Sequence, residues 1–340
     1  MSKNLTGLSF EELIDNINDM GGKKYIAKQI WNWIYKKNII DIDLMSDISI
    51  KFRELLKEKF NIGLYRLKEK KISSDGTEKF LLELQDGNSI ESVLIPEKDR
   101  LTICISSQVG CKFNCSFCST GKMGFIRDLT TAEIVEEILY IQKLKQKNIT
   151  NVVFMGMGEP FDNFDNVIKS AKIINDDNGL AIGSRKITIS TFGHIPGIRN
   201  YIDLDIRFRL AISLHNPFND QRSEIMPGNR QYNLEDLFKI LREYTKVSNR
   251  KVVFEYILLN GVNDSQDHAK ELKTLLSKLP SKLNLIKYHS NPYTEFSPTT
   301  NMQQQKFYNF FQNVNFPVVF RASRGEDIDA ACGQLYINNN

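Results

Sequence analysis

Hydrophobic residues recur at helical spacing through roughly the first 60 residues of the chain. Ser9 and Glu12 have the spacing of a capping box, and apolar residues follow at intervals of three and four. The same spacing predicts two more helices, over 24–37 and about 50–60. The pattern therefore predicts a helical domain over residues 1–62, whose lysines and aromatic side chains suit an RNA-binding appendage or a packing cap.

Strand patterns replace the helical spacing in the next segment of the chain. Residues 78–84 and 89–96 are rich in apolar and β-branched residues, and they flank the turn dipeptide Asp86-Gly87. An Asp-Gly pair between two such runs is typical of a β-hairpin. We therefore expect a hairpin extension that links the helical domain to the rest of the chain, over residues 63–100.

From residue 101 to 336, short apolar runs alternate with helical patterns. The strands are predicted over 101–106, 151–155, 186–191, 208–214, 251–257, 283–286 and 317–321. The helices between them include 130–142, 234–245 and 268–279. About six strand–helix units predict an α/β fold with a parallel sheet, open or curled into a barrel. Such folds bind ligands at the carboxyl ends of their strands.

The composition fits a soluble globular protein. Of its 340 residues, 41% are hydrophobic and 25% are charged, and the net charge of +4 is compatible with an RNA partner without requiring one. No apolar run approaches the ~18 residues that cross a membrane. The first residues form no signal-peptide core. We therefore expect a cytoplasmic protein without membrane contact, in a compartment that keeps thiols reduced.

Three of the five cysteines stand close together in the pattern C-x3-C-x2-C. They are Cys111, Cys115 and Cys118. Thiolates suit iron–sulfur clusters and zinc, but a closed structural zinc site needs four ligands. Three thiolates can hold three irons of a four-iron cluster and leave the fourth iron open. A zinc site completed by a distant His or Cys, or three buried thiols, is the alternative.

Glycines and polar residues follow the predicted strands, where a parallel sheet binds its ligands. Gly158 and Glu159 come after one strand, Ser190 and the stretch Ser213-Leu214-His215 end the next two, and Asn291 follows a later one. A carboxylate can accept a cationic amine, while hydroxyl and amide groups can bind a carboxylate or a sugar. Together these residues predict one small-molecule pocket beside the cysteines.

Longer stretches resemble the RlmN/Cfr family of radical S-adenosylmethionine (SAM) RNA methyltransferases. The resemblance runs from about residue 10 to 335 and rests on 106–111, 117–121, 154–160, 213–215 and 327–335. It implies a radical SAM partial (βα)6 barrel over 101–336, carrying the N-terminal helical accessory domain and the hairpin extension. The implied cofactors are SAM and a [4Fe-4S] cluster on Cys111, Cys115 and Cys118.

The resemblance also implies a reaction and its residues. The family methylates an electrophilic ring carbon of adenosine with two SAM molecules. One SAM methylates a cysteine, and the other yields a radical that activates the S-methyl group for addition to the adenine. By motif, Cys332 accepts the methyl group, Cys104 resolves the crosslink by forming a disulfide, and Glu91 accepts the ring proton. The implied SAM contacts are Gly158, Glu159, Ser190, the backbone around Ser213, Leu214 and His215, and Asn291.

Within the family, Ser119 and Phe125 favour an RlmN-like enzyme, which methylates carbon 2, over a Cfr-like one, which methylates carbon 8. The implied partners of a monomeric chain are 23S rRNA near the peptidyl-transferase centre, tRNA beside the anticodon, and an electron donor such as flavodoxin or ferredoxin. A radical SAM enzyme with a non-RNA substrate and a zinc-binding RNA adaptor are the alternatives. The Gly228-Asn229-Arg230 loop has no assigned role.

Overall fold

The computed structural model describes residues 3–63, 65–204, 206–321 and 323–337. Residues 1–2 of the predicted helical domain lie outside the described residues, as does Leu64 in the predicted hairpin segment. No helix in the described ranges combines the length and the apolar character needed to cross a membrane.

The N-terminal helices are close to those predicted. The elements are β1 (Lys3–Asn4), α1 (Phe10–Asp19), α2 (Lys24–Trp31), a π-helical turn (Asn32–Lys36), α3 (Ile50–Lys59) and β2 (Phe60–Asn61). The capping box of Ser9 and Glu12 is present at the start of α1. These elements bury a hydrophobic core of their own around Trp31 and Ile34, to which Val135 and Leu139 contribute from a later helix.

The strands that follow are β3 (Arg66–Ile72), β4 (Glu78–Glu83), β5 (Ser89–Glu97), β6 (Arg100–Ile105), β7 (Gln108–Gly110), β8 (Phe125–Asp128), β9 (Asn151–Phe154), β10 (Ile187–Thr191), β11 (Arg209–Ser213), β12 (Val252–Leu258), β13 (Ser281–Lys287) and β14 (Val318–Arg321). The helices among them are α4 (Ser119–Lys122), α5 (Thr131–Lys145), α6 (Phe164–Asn175), α7 (Ile195–Asp203), α8 (Asn219–Ile225), α9 (Leu234–Ser248), α10 (Gln266–Leu276) and α11 (Asn301–Asn309).

One ten-stranded sheet organises this part of the chain, in the order β14-β13-β12-β11-β10-β9-β6-β5-β4-β3. Strands β3 to β6 pair antiparallel, whereas β6 and β9 to β14 form a parallel run joined by helices. The central parallel strands β11 and β12 are buried on both faces, which explains continuous apolar runs such as Leu210–Ile212, whereas the edge strand β14 is partly exposed. The predicted α/β class, the partial barrel and the hairpin β4–β5 are confirmed.

The antiparallel strands contact the C-terminal segment of the chain. The turn between β3 and β4 accepts and donates hydrogen bonds there: Asp75 Oδ2 accepts from the Gly325 amide at 3.1 Å, and the Ser74 amide donates to Asp327 at 3.0 Å. The hairpin extension therefore positions the segment that carries Cys332.

Candidate active site

All five cysteines line one cleft at the carboxyl ends of the parallel strands. The cleft encloses about 1280 Å3, counting its open mouth. Cys104 lies on β6, the cysteine loop (residues 111–118) follows β7, and Cys332 lies near the end of the chain. The fold thus brings the two cysteines outside the trio to the same cleft as the trio.

The cysteine loop is fixed by backbone hydrogen bonds. The Cys111 amide donates to Gly124 at 2.8 Å, and the Ser116 amide donates to Ile225 of α8 at 2.9 Å. Gly110 has φ +77°, and a Cβ there would lie 1.9 Å from the Gly124 oxygen, so only glycine fits where the loop begins.

The three thiols suit an iron–sulfur cluster. Burial raises the pKa of all three, that of Cys111 to about 12, so the cationic charge of bound iron is needed to make them thiolates. Cys111, Cys115 and Cys118 all line the cleft, and three thiolates on one loop could hold three irons of a four-iron cluster.

Glu159 lies in the cleft wall with both carboxylate oxygens hydrogen-bonded. Oε1 accepts from the Phe161 amide at 3.0 Å and Oε2 from the Phe192 amide at 2.9 Å. Burial raises the pKa of Glu159 to about 7 despite these donors. Gly158, with φ +100°, packs so closely on Gln108 that a Cβ would lie 2.6 Å from its side chain. The Gly158-Glu159 turn is therefore a rigid part of the wall.

Three more predicted SAM contacts line the cleft. The hydroxyls of Ser190 and Ser213 lie 3.5 Å apart on neighbouring strand ends. His215 takes a left-handed backbone conformation, and its Nδ1 accepts from the Ile257 amide at 3.1 Å. Burial lowers the pKa of His215 to about 3, so the ring is neutral. Its edge packs against Phe117 of the cysteine loop.

Two predicted SAM contacts do not line the cleft. The Leu214 side chain is buried in the main core, but its backbone belongs to the strand end: its amide donates to the Glu255 carbonyl at 3.0 Å, and its carbonyl accepts from Arg222 at 2.9 Å. Asn291 lies in the long loop after β13, where its side-chain Nδ2 donates to the Tyr288 hydroxyl at 3.1 Å. The structure therefore gives neither of these two side chains a place in the cleft wall.

Cys332 is exposed on a short turn that rests against α4. The Ser119 amide donates to the Gly333 carbonyl at 2.7 Å, and the Thr120 hydroxyl donates to the Leu335 carbonyl at 2.7 Å. As a residue Cys332 is exposed, whereas Cys104 is half-buried. Burial nevertheless raises the pKa of both thiols above the ordinary range, because both sulfur atoms face the cleft.

Glu91 lies against the Cys332 segment rather than in the cleft wall. Its carboxylate is buried, pairs with Lys79 Nζ at 3.1 Å and accepts from the Tyr336 amide at 2.9 Å. Lys79 also donates to the Asp329 carbonyl at 3.0 Å. Burial raises the pKa of Glu91 even with the lysine beside it. Glu91 is therefore not a solvent-facing strand residue.

The sequence analysis missed three charged residues of this site. Arg222 is fully buried beneath the strand ends, and Glu255 and Arg321 line the cleft. The burial of Glu255 could have been predicted from the sequence, because a carboxylate within the apolar run of β12 must be buried. The burial of Arg222 could not, because an arginine in a short polar helix is usually exposed.

Two family models match the chain. That of the radical SAM superfamily matches residues 105–272, and that of the ribosomal RNA large subunit methyltransferase N-terminal domain matches residues 3–62. A radical SAM methyltransferase from Sphaerobacter thermophilus has a crystal structure that superposes with a TM-score of 0.94. It is 36% identical, and the match covers 98% of this chain and 99% of that chain.

Two relatives match at similar identity. A probable dual-specificity RNA methyltransferase RlmN from Streptococcus thermophilus is 43% identical, over 98% of this chain and 87% of its own length. A protein of the same description from Thermotoga petrophila is 43% identical, over 98% of this chain and 97% of its own length. The chain belongs to the RlmN family of radical SAM RNA methyltransferases.

Proposed function

We propose that this protein transfers a methyl group from SAM to carbon 2 of an adenosine in RNA, by way of methylated Cys332. The observation that carries the proposal is the single cleft that holds the cysteine loop, most of the expected SAM contacts, Cys104 and Cys332. The RNA substrates are 23S rRNA near the peptidyl-transferase centre and tRNA beside the anticodon. Two kinds of RNA fit the dual specificity in the relatives' name.

The cofactors of the radical SAM superfamily are a [4Fe-4S] cluster and SAM. When bound, they supply the one-electron chemistry that activates an otherwise unreactive methyl group. Cys111, Cys115 and Cys118 would hold the cluster, and Glu159, Ser190 and Ser213 line the space for SAM. The electron comes from a donor such as flavodoxin or ferredoxin, and the chain acts as a monomer.

Cys332 is suited to accept the methyl group because it lies on an exposed turn and also lines the cleft. Its thiolate attacks the methyl carbon of SAM, and S-adenosylhomocysteine leaves. The S-methyl group then loses one hydrogen atom to the radical that the cofactors would supply, its carbon bonds to the adenine ring while still bound to sulfur, and the unpaired electron of the adduct would return to the cluster. Glu91 accepts the proton of the substituted ring carbon. Cys104 then attacks the Cys332 sulfur, so that a disulfide forms, the sulfur–carbon bond breaks and the base leaves with its methyl group after protonation.

The N-terminal helices supply a surface that suits RNA. A groove beside α1 and α2 is lined by Lys24, Lys28 and Lys36, together with Tyr25, which is 60% exposed. Lysines neutralise backbone phosphates, and an exposed aromatic ring can stack on an unpaired base. We therefore assign RNA binding to the helical domain.

Mass spectrometry of the modified nucleoside tests the proposal. The anaerobically reconstituted enzyme is incubated with deuteromethyl-SAM and transcripts of the two RNAs, which are then digested to nucleosides. We expect labelled 2-methyladenosine with the wild type and none with Cys332→Ser, which should keep its iron and still cleave SAM. Labelled 8-methyladenosine would favour a Cfr-like enzyme, and unmodified adenosine alone would overturn the proposal.

A further inference from the structure

Three polar side chains on neighbouring parallel strands have no part in the reaction proposed above. They are Glu255 on β12, Asn284 on β13 and Arg321 on β14. Asn284 Nδ2 donates to Glu255 Oε1 at 2.8 Å, and Arg321 Nη1 lies 3.9 Å from Glu255 Oε2. Glu255 and Arg321 line the same cleft as Cys104 and Cys332.

Glu255 has an acceptor that lacks a donor. The residue is only 4% exposed, yet its Oε2 accepts no hydrogen bond from any described residue, and Asn284 Oδ1 is in the same state. The Arg321 side chain is 42% exposed, and at 3.9 Å it is too far away to satisfy Oε2. A buried acceptor without a partner is destabilising, so natural proteins seldom leave one unless a ligand or water fills the place.

We propose that Glu255 and Arg321 bind the edge of an adenine ring, with Glu255 Oε2 accepting from the exocyclic amine and Arg321 donating to the adjacent ring nitrogen. Adenine presents a donor beside an acceptor on both its Watson–Crick and its Hoogsteen edge. An acceptor beside a donor in the cleft wall is complementary to either edge. Guanine carries an oxygen where adenine carries the amine, and that oxygen would face the carboxylate, so the pair selects adenine.

Two adenine rings can reach this cleft, that of the target nucleotide and that of SAM. The neighbours of Arg321 favour the target nucleotide. Burial lowers the pKa of Arg321, but the nearby charges of Glu255, Cys332 and Cys104 raise it overall, so Arg321 lies beside the two cysteines proposed to handle the RNA-bound carbon. Ile257 lines the cleft two residues beyond Glu255 on the same strand, and can cover the face of a base. This assignment rests on the function proposed above.

A double-mutant cycle between protein and RNA tests the assignment. Wild type and Glu255→Met are each assayed with RNA that carries adenosine or purine riboside, which lacks the amine, at the target position. For the wild type we expect kcat/KM to fall at least tenfold on purine RNA. On adenosine RNA, kcat/KM of Glu255→Met should be lower than that of the wild type by a similar factor, and it should not fall further on purine RNA. If the change from adenosine to purine RNA lowered kcat/KM by the same factor in both proteins, the proposal would be overturned, and Oε2 would bind only water.

A second set of measurements separates the two adenines. SAM affinity by equilibrium dialysis and SAM cleavage without RNA should change less than threefold in Glu255→Met. A tenfold loss of SAM affinity together with no coupling to the RNA amine would show that the pair binds SAM, and would overturn the assignment to the target base. Failure of the wild type to methylate either RNA would count against the proposed function itself.

Arg321→Met provides an independent variant, should Glu255→Met fold poorly by circular dichroism or lose its iron. It is paired with RNA that carries 1-deazaadenosine or 7-deazaadenosine, each of which lacks one ring acceptor. We expect the variant to be insensitive to one of these analogues, to which the wild type responds at least fivefold. Equal sensitivity of both proteins to both analogues would overturn the role of Arg321. Arg324→Met, outside the cleft lining, is the matched control.

Discussion

Arg222 joins three parts of the active-site floor through one buried guanidinium. Its Nε donates to the Leu214 carbonyl at 2.9 Å and its Nη2 to the Ser213 carbonyl at 3.0 Å. It also donates to the Phe192 carbonyl and to the Asn229 side chain. The ends of β10 and β11 are thereby tied to the Gly228-Asn229-Arg230 loop, which gives that loop a structural role. Burial lowers the pKa of Arg222 to about 10, so the cation persists at neutral pH.

Replacing Arg222 with alanine should cost a large share of the stability. A hydrogen bond from a charged donor contributes about 1.5–3 kcal/mol, and an acceptor left unpaired costs about 1–3 kcal/mol. With four acceptors losing their donor, and the cost of burying the cation removed, we expect the free energy of unfolding to fall by about 4 kcal/mol or more. Arg222→Lys, which keeps the charge but reaches fewer acceptors, should lose about half as much.

Urea unfolding followed by circular dichroism, under anaerobic conditions, measures this loss. The matched control is Arg199→Ala, because the Arg199 side chain is 48% exposed and pairs with Glu243 at the surface. A surface ion pair contributes at most about 1 kcal/mol, so the control should remain near the wild type. If Arg222→Ala were also within about 1 kcal/mol of the wild type, the four hydrogen bonds would not hold the floor as described.

Two further predictions follow from burial and charge. Because the pKa of Glu159 is raised from 4.5 to about 7, the carboxylate ionises as the pH rises through 7. The SAM amine prefers the ionised form, so SAM affinity by equilibrium dialysis should increase several-fold from pH 6 to 8, and Glu159→Gln should show no such rise. In the ligand-free protein, folding stability depends on pH in the opposite direction. Because the folded state favours the protonated carboxyl, the contribution of Glu159 to stability is fully present below pH 4.5 and is lost as the pH rises through 7. Replacing Lys24, Lys28 and Lys36 with glutamine should weaken RNA binding without changing SAM cleavage. The slope of the logarithm of the binding constant against the logarithm of the salt concentration (the salt slope) should become shallower by up to about three. The matched control replaces three exposed lysines outside the groove, Lys246, Lys270 and Lys278. An unchanged salt slope would contradict RNA binding in the groove.

Local signals in the sequence predicted the elements well. The capping boxes at Ser9 and Thr130 need only residues three apart, and both are present. The buried parallel strands are apolar runs, so their number and their order along the chain could be predicted. Strand β3 lies within the predicted hairpin segment, but its bounds could not be predicted. Arg66–Ile72 is mostly charged and exposed, and its conformation depends on pairing with β4.

Tertiary contacts explain what the sequence could not predict. The cysteine motif placed three site residues on one loop, but the positions of Cys104 and Cys332 beside that loop depend on the whole sheet. The burial of Glu91 depends on Lys79, whose charge offsets the cost of the carboxylate, and no spacing rule links the two.

The most direct test of carbon transfer through two cysteines is the mass of the Cys104→Ala protein after reaction with RNA. Without the resolving thiol, the RNA should remain bound to Cys332 through one carbon. After nuclease digestion, denaturing mass spectrometry should show the chain with a nucleotide and one added carbon, and Cys104→Ala combined with Cys332→Ala should show none. Methylated RNA formed by Cys104→Ala at the wild-type rate, with no adduct, would contradict the account.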